Sequence, residues 1–397
     1  MNLETEIPYC FDLPTTPRPE IGKILVTGAT GYVGGRLVHE LLNRGYEIRI
    51  LVRAGSPDHK VRWPGVEVVT GDALDMNSIR HALKDITIVY YLIHSLLLSR
   101  KELGAAEMKA AAHFRIAAEE NHVDRIIYLG GLGKRRGKLS THLQSRIRVA
   151  EELSKGKVAV TILRAAIIIG SGSASFEILE HLVKNLPVIL IPKWARTKCQ
   201  PIGIRDVIKY LVGVLEIDET RSKSYDIGGK SGLSYLDMLK ILSDLLNKRK
   251  LYIPVSGTNI RFYGYVAGLV TPVPVQIVTA LFESAKYEVI CLDNKIKEDL
   301  DFELLTFSEA VVFALDKEVQ DKIRTRWSDA YPPAHELTIK MHDLDTPKYS
   351  CVRSLFSDKN ASYLFKSVCM IGGKDGWYHN NWMWNLRGMT DKLIMGV

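Results

Sequence analysis

Residues Ile24-Leu-Val-Thr-Gly-Ala-Thr-Gly-Tyr-Val-Gly-Gly-Arg-Leu37 decide how the rest of the chain reads. An apolar run ending at Thr27 passes straight into Gly28-x-x-Gly31-x-x-Gly34 and then into a segment with helical spacing. Glycines so placed permit a tight turn, let backbone approach a pyrophosphate closely and let the helix pack on the strand, while the helix N-terminus favours an anion. In isolation the pattern is weak. Between a strand and a helix it predicts a dinucleotide site in which Gly28, Ala29, Thr30, Gly31, Tyr32, Val33 and Gly34 surround the phosphates. The alternative is a glycine-rich turn that binds nothing.

Outward from this motif, short β-rich runs alternate with amphipathic segments, the pattern of a parallel sheet with helices on both faces. Strands are expected at 23–27, 47–52, 66–70, 86–92, 125–129, 160–169 and 224–227, and helices at 33–43, 76–83, 105–121 and 143–153. The fold class is therefore α/β, a doubly wound Rossmann sheet of about seven strands. Beyond about residue 170 the regularity loosens. Helical segments at 176–186, 205–215, 235–246 and 307–323 alternate with short runs at 188–191 and 251–254, which predicts a smaller, partly helical second lobe over the carboxyl ends of the sheet. That lobe is drawn mainly from 171–222 and 229–306, within a body of 21–325. Residues 1–20 read as a loose arm, 326–335 as a linker and 336–397 as a C-terminal segment.

The composition suits this architecture. With 397 residues, 46% hydrophobic and 25% charged, the chain is a core-forming protein and neither disordered, collagenous nor multispanning. A net charge of +8 suits phosphates or anionic surfaces without demanding them. The basic run 134–138 is too short to imply nucleic-acid binding, and none is expected. Five widely spaced cysteines, with no C-x-x-C pair, fit a reducing, cytoplasmic compartment, and no histidine spacing suggests a metal. Residues 262–282 carry no charge over 21 positions, but Pro272 and Pro274 interrupt them. A buried or cleft-lining helical pair is expected there, with peripheral membrane contact as the alternative and a true span the least favoured reading.

The end of the second strand selects the cofactor, because an acidic side chain there binds ribose hydroxyls and a basic one accepts a 2′-phosphate. It reads Ile50-Leu-Val-Arg53, with no Asp or Glu until Asp58, so Arg53 favours NADP(H) over NAD(H). Arginine is also a common exposed strand-end residue. After the third strand, Asp72 and Ala73 stand where they can meet the adenine or simply make a turn. His94 and Ser95 follow the fourth strand, and Gly130 and Gly131 end the fifth, at the carboxyl edge where such sheets bind ligands.

The runs TGATGYVG, LVR, GDALD, YLIHS, IIYLGGLG and LRAAIIIGSGS together resemble an extended or atypical short-chain dehydrogenase/reductase. The resemblance is greatest to the bacterial NmrA-like, NAD(P)-binding subgroup, whose dinucleotide domain precedes a C-terminal domain of uncharacterised function. It covers residues 21 to 325, and the segment from Asp375 to Gly388 also resembles that subgroup. Members continue well beyond this point, so the resemblance implies a truncated C-terminal domain. It also implies a serine ending the fifth strand and a Tyr-x-x-x-Lys on the next helix, and the chain departs from both. The strand ends Tyr128-Leu-Gly130-Gly131, and His142 and Arg146 align with the tyrosine and lysine.

Four-residue spacing puts His142 and Arg146 on one helical face. His142 can transfer a proton, while Arg146, permanently charged, can hold a ribose hydroxyl, a phosphate or a substrate carboxylate. An ordinary polar helix face is the competing reading. In the second lobe, the loop 170–175 and the side chains Lys193, Trp194 and Arg196 read as loop and surface patch before they read as an anion or acceptor site. The expected function is NADP(H)-dependent oxidoreduction of an unknown, fairly hydrophobic carbonyl or enone. Its rival is a catalytically inactive NADP(H)-binding sensor or assembly protein, with membrane association possible for either.

Overall fold

A computed structural model describes residues 8–53, 59, 62–93, 100–133, 139–256, 259–319, 325–330, 354, 356–371, 376 and 380–395. The chain divides into two units, 1–331 and 332–397. The first unit runs β1 (Ile24–Thr27), α1 (Tyr32–Asn43), β2 (Ile48–Val52), β3 (Glu67–Thr70), α2 (Met76–Ala82), β4 (Ile88–Tyr91), α3 (Arg100–Glu120), β5 (Arg125–Gly131), α4 (Thr141–Leu153) and β6 (Ala159–Ala165). It continues with β7 (Ile168–Ile169), α5 (Ala174–Asn185), β8 (Val188–Pro192), β9 (Lys198–Cys199), β10 (Ile202–Gly203), α6 (Ile204–Glu216), β11 (Ser224–Ile227), β12 (Leu233–Ser234) and α7 (Tyr235–Leu245). Then come β13 (Leu251–Val255), α8 (Ile260–Val270), α9 (Val275–Ser284), α10 (Ile296–Asp299) and α11 (Phe307–Val319). The second unit contributes α12 (Ala361–Cys369) and α13 (Asn381–Met395).

Seven parallel strands form the main sheet in the order β11-β6-β5-β4-β1-β2-β3. The order reverses direction between β1 and β4, which opens a crevice at their carboxyl ends. Two-residue periodicity divides the strand side chains between two cores. Ile24, Val26, Ile88, Tyr90 and Ile127 join the cluster under α1 and α6, while Leu25, Val89, Tyr91, Ile126 and Tyr128 join the one under α2, α3 and α4. Both faces are apolar because both are covered, and the strand runs are therefore continuously hydrophobic.

Three sequence expectations change. The run 160–169 is not one strand: β6 leaves the sheet after Ala165, and β7 pairs instead with β10 as the chain enters the second lobe. The N-terminal arm is not loose from residue 8 onward. Cys10 and Leu13 are buried, and the arm supplies carbonyls that Arg44 needs, with Nη1 donating to Cys10 O (3.0 Å) and Nη2 to Thr15 O (2.7 Å). Arg44 is itself held by the fully buried Glu216 at 2.7 Å. The third change is at 325–330, where the end of the expected body passes into the expected linker. Arg36 donates to Thr325 O (2.9 Å), and Trp327 Nε1 donates to Glu177 Oε2 (2.7 Å) on α5.

The uncharged stretch 262–282 folds as a helical pair, broken at 271–274 by Pro272 and Pro274. Gly268 lets α8 approach Val275 on α9, and Ala267, Ile277 and Val278 bury a common seam against Ile178 of α5. No helix among the described residues is long and apolar enough to cross a membrane. Within the second unit, Phe365, Trp382 and Trp384 are exposed on α12 and α13. Trp377 and Tyr378 lie outside the described residues.

Candidate cofactor and active site

The turn after β1 is built as the glycine spacing requires. Gly28 has φ +66°, and a Cβ there would fall 2.7 Å from Leu92 O at the end of β4. A Cβ on Gly34 would fall 2.3 Å from Gly28 O, so only glycine lets α1 start this close to the strand. Gly31 is the N-cap of α1, in extended conformation and without a side-chain cap, which leaves the helix N-terminus to a ligand or solvent. Thr27 ties the two strands at the crevice: its hydroxyl donates to Tyr90 O (2.9 Å) and accepts from Leu92 N (3.1 Å). A cradle that a methyl group would fill, at a helix N-terminus and a sheet switch point, fits a dinucleotide pyrophosphate.

Other candidate residues fall along the same carboxyl edge. Arg53 is exposed directly after β2, and Asp72 and Ala73 follow β3. Asp72 Oδ1 accepts from Leu74 N (2.9 Å), and Ala73 O meets His113 Nδ1 (3.2 Å), so this turn also serves to launch α2. Gly130 and Gly131 close β5 opposite Arg164 and Ala165. His94, Ser95 and the basic run 134–138 lie outside the described residues.

The helix expected to carry catalysis is α4, capped by Ser140, whose Oγ accepts from Leu143 N (3.2 Å). His142 stands half-buried in its first turn. Arg146, one turn on, is buried and turned toward backbone. Nη2 donates to Leu129 O (2.9 Å), Nη1 reaches Ile93 O (3.4 Å), and the guanidinium lies 5.2 Å from the Tyr128 ring centroid. Glu107 of α3, also buried, faces it at 3.9 Å and accepts a hydrogen bond from Ser145. Arg146 thus holds the carboxyl ends of β4 and β5 in place instead of presenting a loose cation to the crevice. Gly131 belongs to the same arrangement, because a Cβ there would lie 3.1 Å from Leu143 and 3.5 Å from Arg146 Cγ.

On the acceptor side, Ser284 at the end of α9 meets Ser140 at 2.9 Å, so the second lobe reaches the start of α4. Trp194 is packed among Phe282, Tyr263 and Tyr235, with ring centroids 5.0, 6.0 and 6.5 Å away. Lys193 and Arg196 point to the surface. The loop 170–175 is committed to structure: Ser171 O accepts from Arg36 Nη2 (2.8 Å), Gly172 O from Trp327 N (2.8 Å), and Ser173 donates to Ile168 O (2.8 Å).

Sequence reasoning missed Thr27, Arg36 and Glu107. Thr27 and Arg36 flank the glycine motif, yet their partners lie up to 289 residues away, and Glu107 is one charge among many on a long helix. No metal-binding cluster occurs among the described residues.

The fold and cradle are those of a Rossmann-like, dinucleotide-binding type of domain, and comparison with known proteins agrees. Residues 28–180 match the NAD(P)H-binding family model. It is similar to mitochondrial NADH dehydrogenase (ubiquinone) 1 alpha subcomplex subunit 9 of Arabidopsis thaliana, at 25% identity over 249 residues, 60% of this chain and 62% of that protein. The match therefore spans a little under two thirds of that relative. Ceramide reductase of Caulobacter vibrioides is 26% identical over 215 residues, 51% of this chain and 67% of that protein. Among solved structures, the Bordetella bronchiseptica enzyme WbmG in complex with NAD and UDP superposes with a TM-score of 0.59 at 16% identity, covering 77% of this chain and 96% of that one. That likeness is one of fold.

Proposed function

We propose that the chain binds NADP(H) in the crevice between β1 and β4 and reduces a fairly hydrophobic carbonyl or enone. The observation that carries the reading is the glycine cradle at Gly28 and Gly34, followed by an exposed Arg53 at the end of β2 with no acidic side chain before Asp58. Arg53 offers a planar, permanently charged partner to a 2′-phosphate. Bound NADPH would supply the hydride. The chain's part is to orient it: Arg146 sets the backbone of β4 and β5 beside the crevice, and His142 in the first turn of α4 is the group available to pass a proton. The aromatic cluster around Trp194, in the lobe that reaches α4, suits an apolar acceptor. Ceramide reductase, by its name a reductase of a lipid, is a relative in keeping with this. A reducing cytoplasmic compartment fits the cysteine usage.

Calorimetric titration of cofactor-free protein with NADPH, NADH and NADP⁺, repeated for Arg53→Ala, tests this reading. The expected result is NADPH binding that weakens about ten- to hundredfold in the variant, the range of a lost charge-assisted hydrogen bond, with NADH unaffected. Binding of none of the three overturns it. One observation favours a second reading, a cofactor-binding sensor or assembly protein without turnover: β5 ends Gly130-Gly131 with no serine, and Arg146, which aligns with the lysine of the usual catalytic set, is engaged with the backbone of Leu129. The similarity to a named subunit of NADH dehydrogenase accords with that role. Cofactor binding with no oxidation of NADPH by any carbonyl or enone offered would select it.

A further inference from the structure

The charge of the chain is concentrated. Residues 181–200 and 235–262 hold nine lysines and arginines against two aspartates, a surplus of seven within a net +8. The two segments meet in a small parallel sheet in which Val188 of β8 stands opposite Leu251 of β13, and Leu190 opposite Ile253. Alternation sends Ile189 and Ile191 into the lobe core and leaves Val188, Leu190, Leu251 and Ile253 on the outer face, 39 to 58% exposed. This sheet has two strands only, so both of its edges are open among the described residues. Natural proteins blunt such a face by placing charges within it. Here the charges ring it instead: Lys248 and Arg249 are exposed just before β13, and Lys193 and Arg196 just after β8.

An aliphatic face rimmed by cations matches one environment in particular, hydrocarbon lying beneath negatively charged headgroups. We propose that the outer face of β8 and β13 docks on the surface of an anionic bilayer, with the four aliphatic side chains entering the headgroup boundary and the basic rim on the lipid phosphates. Each cation near such a surface contributes about fivefold to partitioning. The face is separate from the α8–α9 pair, whose apolar residues mostly pack on each other and on α5. It belongs to the lobe that also reaches α4 through Ser284 and Ser140, so docking brings that lobe to the phase in which a hydrophobic acceptor would reside. The inference does not depend on turnover.

The test is sedimentation of the full chain with phosphatidylcholine vesicles and with vesicles containing phosphatidylglycerol, over a salt series. The protein is expected to pellet with the anionic vesicles and to be released by salt. Lys248→Glu/Arg249→Glu, on an exposed turn, should lower the partition coefficient more than about tenfold. Leu190→Ser/Ile253→Ser should abolish binding at moderate salt. Circular dichroism and NADPH titration of both variants separate loss of docking from loss of fold or cofactor site. Equal binding to neutral vesicles, no binding to either kind, or binding unmoved by both variants overturns the proposal. So does a dimer in lipid-free sedimentation velocity that Leu190→Ser/Ile253→Ser dissociates, since the face would then belong to a second copy.

Discussion

Replacing Arg146 by Met tests whether this side chain is a free catalytic cation or a tie that holds the site together. Methionine keeps most of the aliphatic volume and removes the guanidinium. The Glu107 carboxylate, buried and 3.9 Å away, would lose its cationic neighbour, and Leu129 O would lose the donor at 2.9 Å. Breaking one side of a buried pair costs about 3–5 kcal/mol, most of it the penalty of a buried carboxylate that has lost its cation. A stranded buried carbonyl adds about 1–3 kcal/mol unless water reaches it. Urea unfolding followed by tryptophan fluorescence should therefore show Arg146→Met destabilised by at least about 3 kcal/mol. The double variant Arg146→Met/Glu107→Leu should recover more than half of that loss, because the carboxylate goes with its partner. Arg146→Lys should keep the charge and lose the forked contact to backbone, falling between the two. A loss below about 1 kcal/mol in the single variant, or a double variant no more stable than the single, would refute the reasoning.

Two further outcomes follow from other buried charges. Asp206 at the start of α6 has its carboxyl pushed up to about 6 from the usual 3.8, first by burial and against the opposing Leu305 N–H and Lys209. The folded state thus binds this proton more tightly than the unfolded one, so the stabilisation is complete below about pH 4 and is lost as pH rises through about 6. Asp206→Asn should gain on the wild type by about 3 kcal/mol between those limits, and parallel stability–pH curves for the two proteins would contradict it. Glu216→Ala should cost about 3–5 kcal/mol by stranding Arg44, and hydrogen exchange should show the arm around Cys10 and Thr15 opening with it. An arm that stays protected would mean Arg44 is satisfied some other way.

The local part of the fold was open to reading because its causes are local. The path from β1 through Gly28 to α1 depends on strand alternation, a positive φ and a helix start, all within fourteen residues, and the structure follows it closely. The remaining strands obey the same two-residue rule, and the break at Pro272 and Pro274 follows from proline's missing donor. Where the structure departs from expectation, the cause is distant. Nothing near residue 10 announces that its carbonyl serves Arg44, and nothing near Thr325 announces Arg36. The composition of 326–335 spoke of a linker, yet Trp327 finds an acceptor in Glu177, 150 residues earlier.

The site divides along the same line. Sequence by itself pointed to a glycine cradle after β1 and to a basic residue, Arg53, at the end of β2, and the resemblance to short-chain dehydrogenases implied a serine and a tyrosine that the chain lacks. Only the tertiary structure decided what replaced them. Arg146 looked like a cation for a ligand because its spacing from His142 is a helical property; that it turns inward to Leu129 O and Glu107 depends on α3 and β5 being folded against α4. Period and turn chemistry are set between neighbours in the chain and can be read there, whereas the pairing of buried charges is set by whichever elements the folded core brings together.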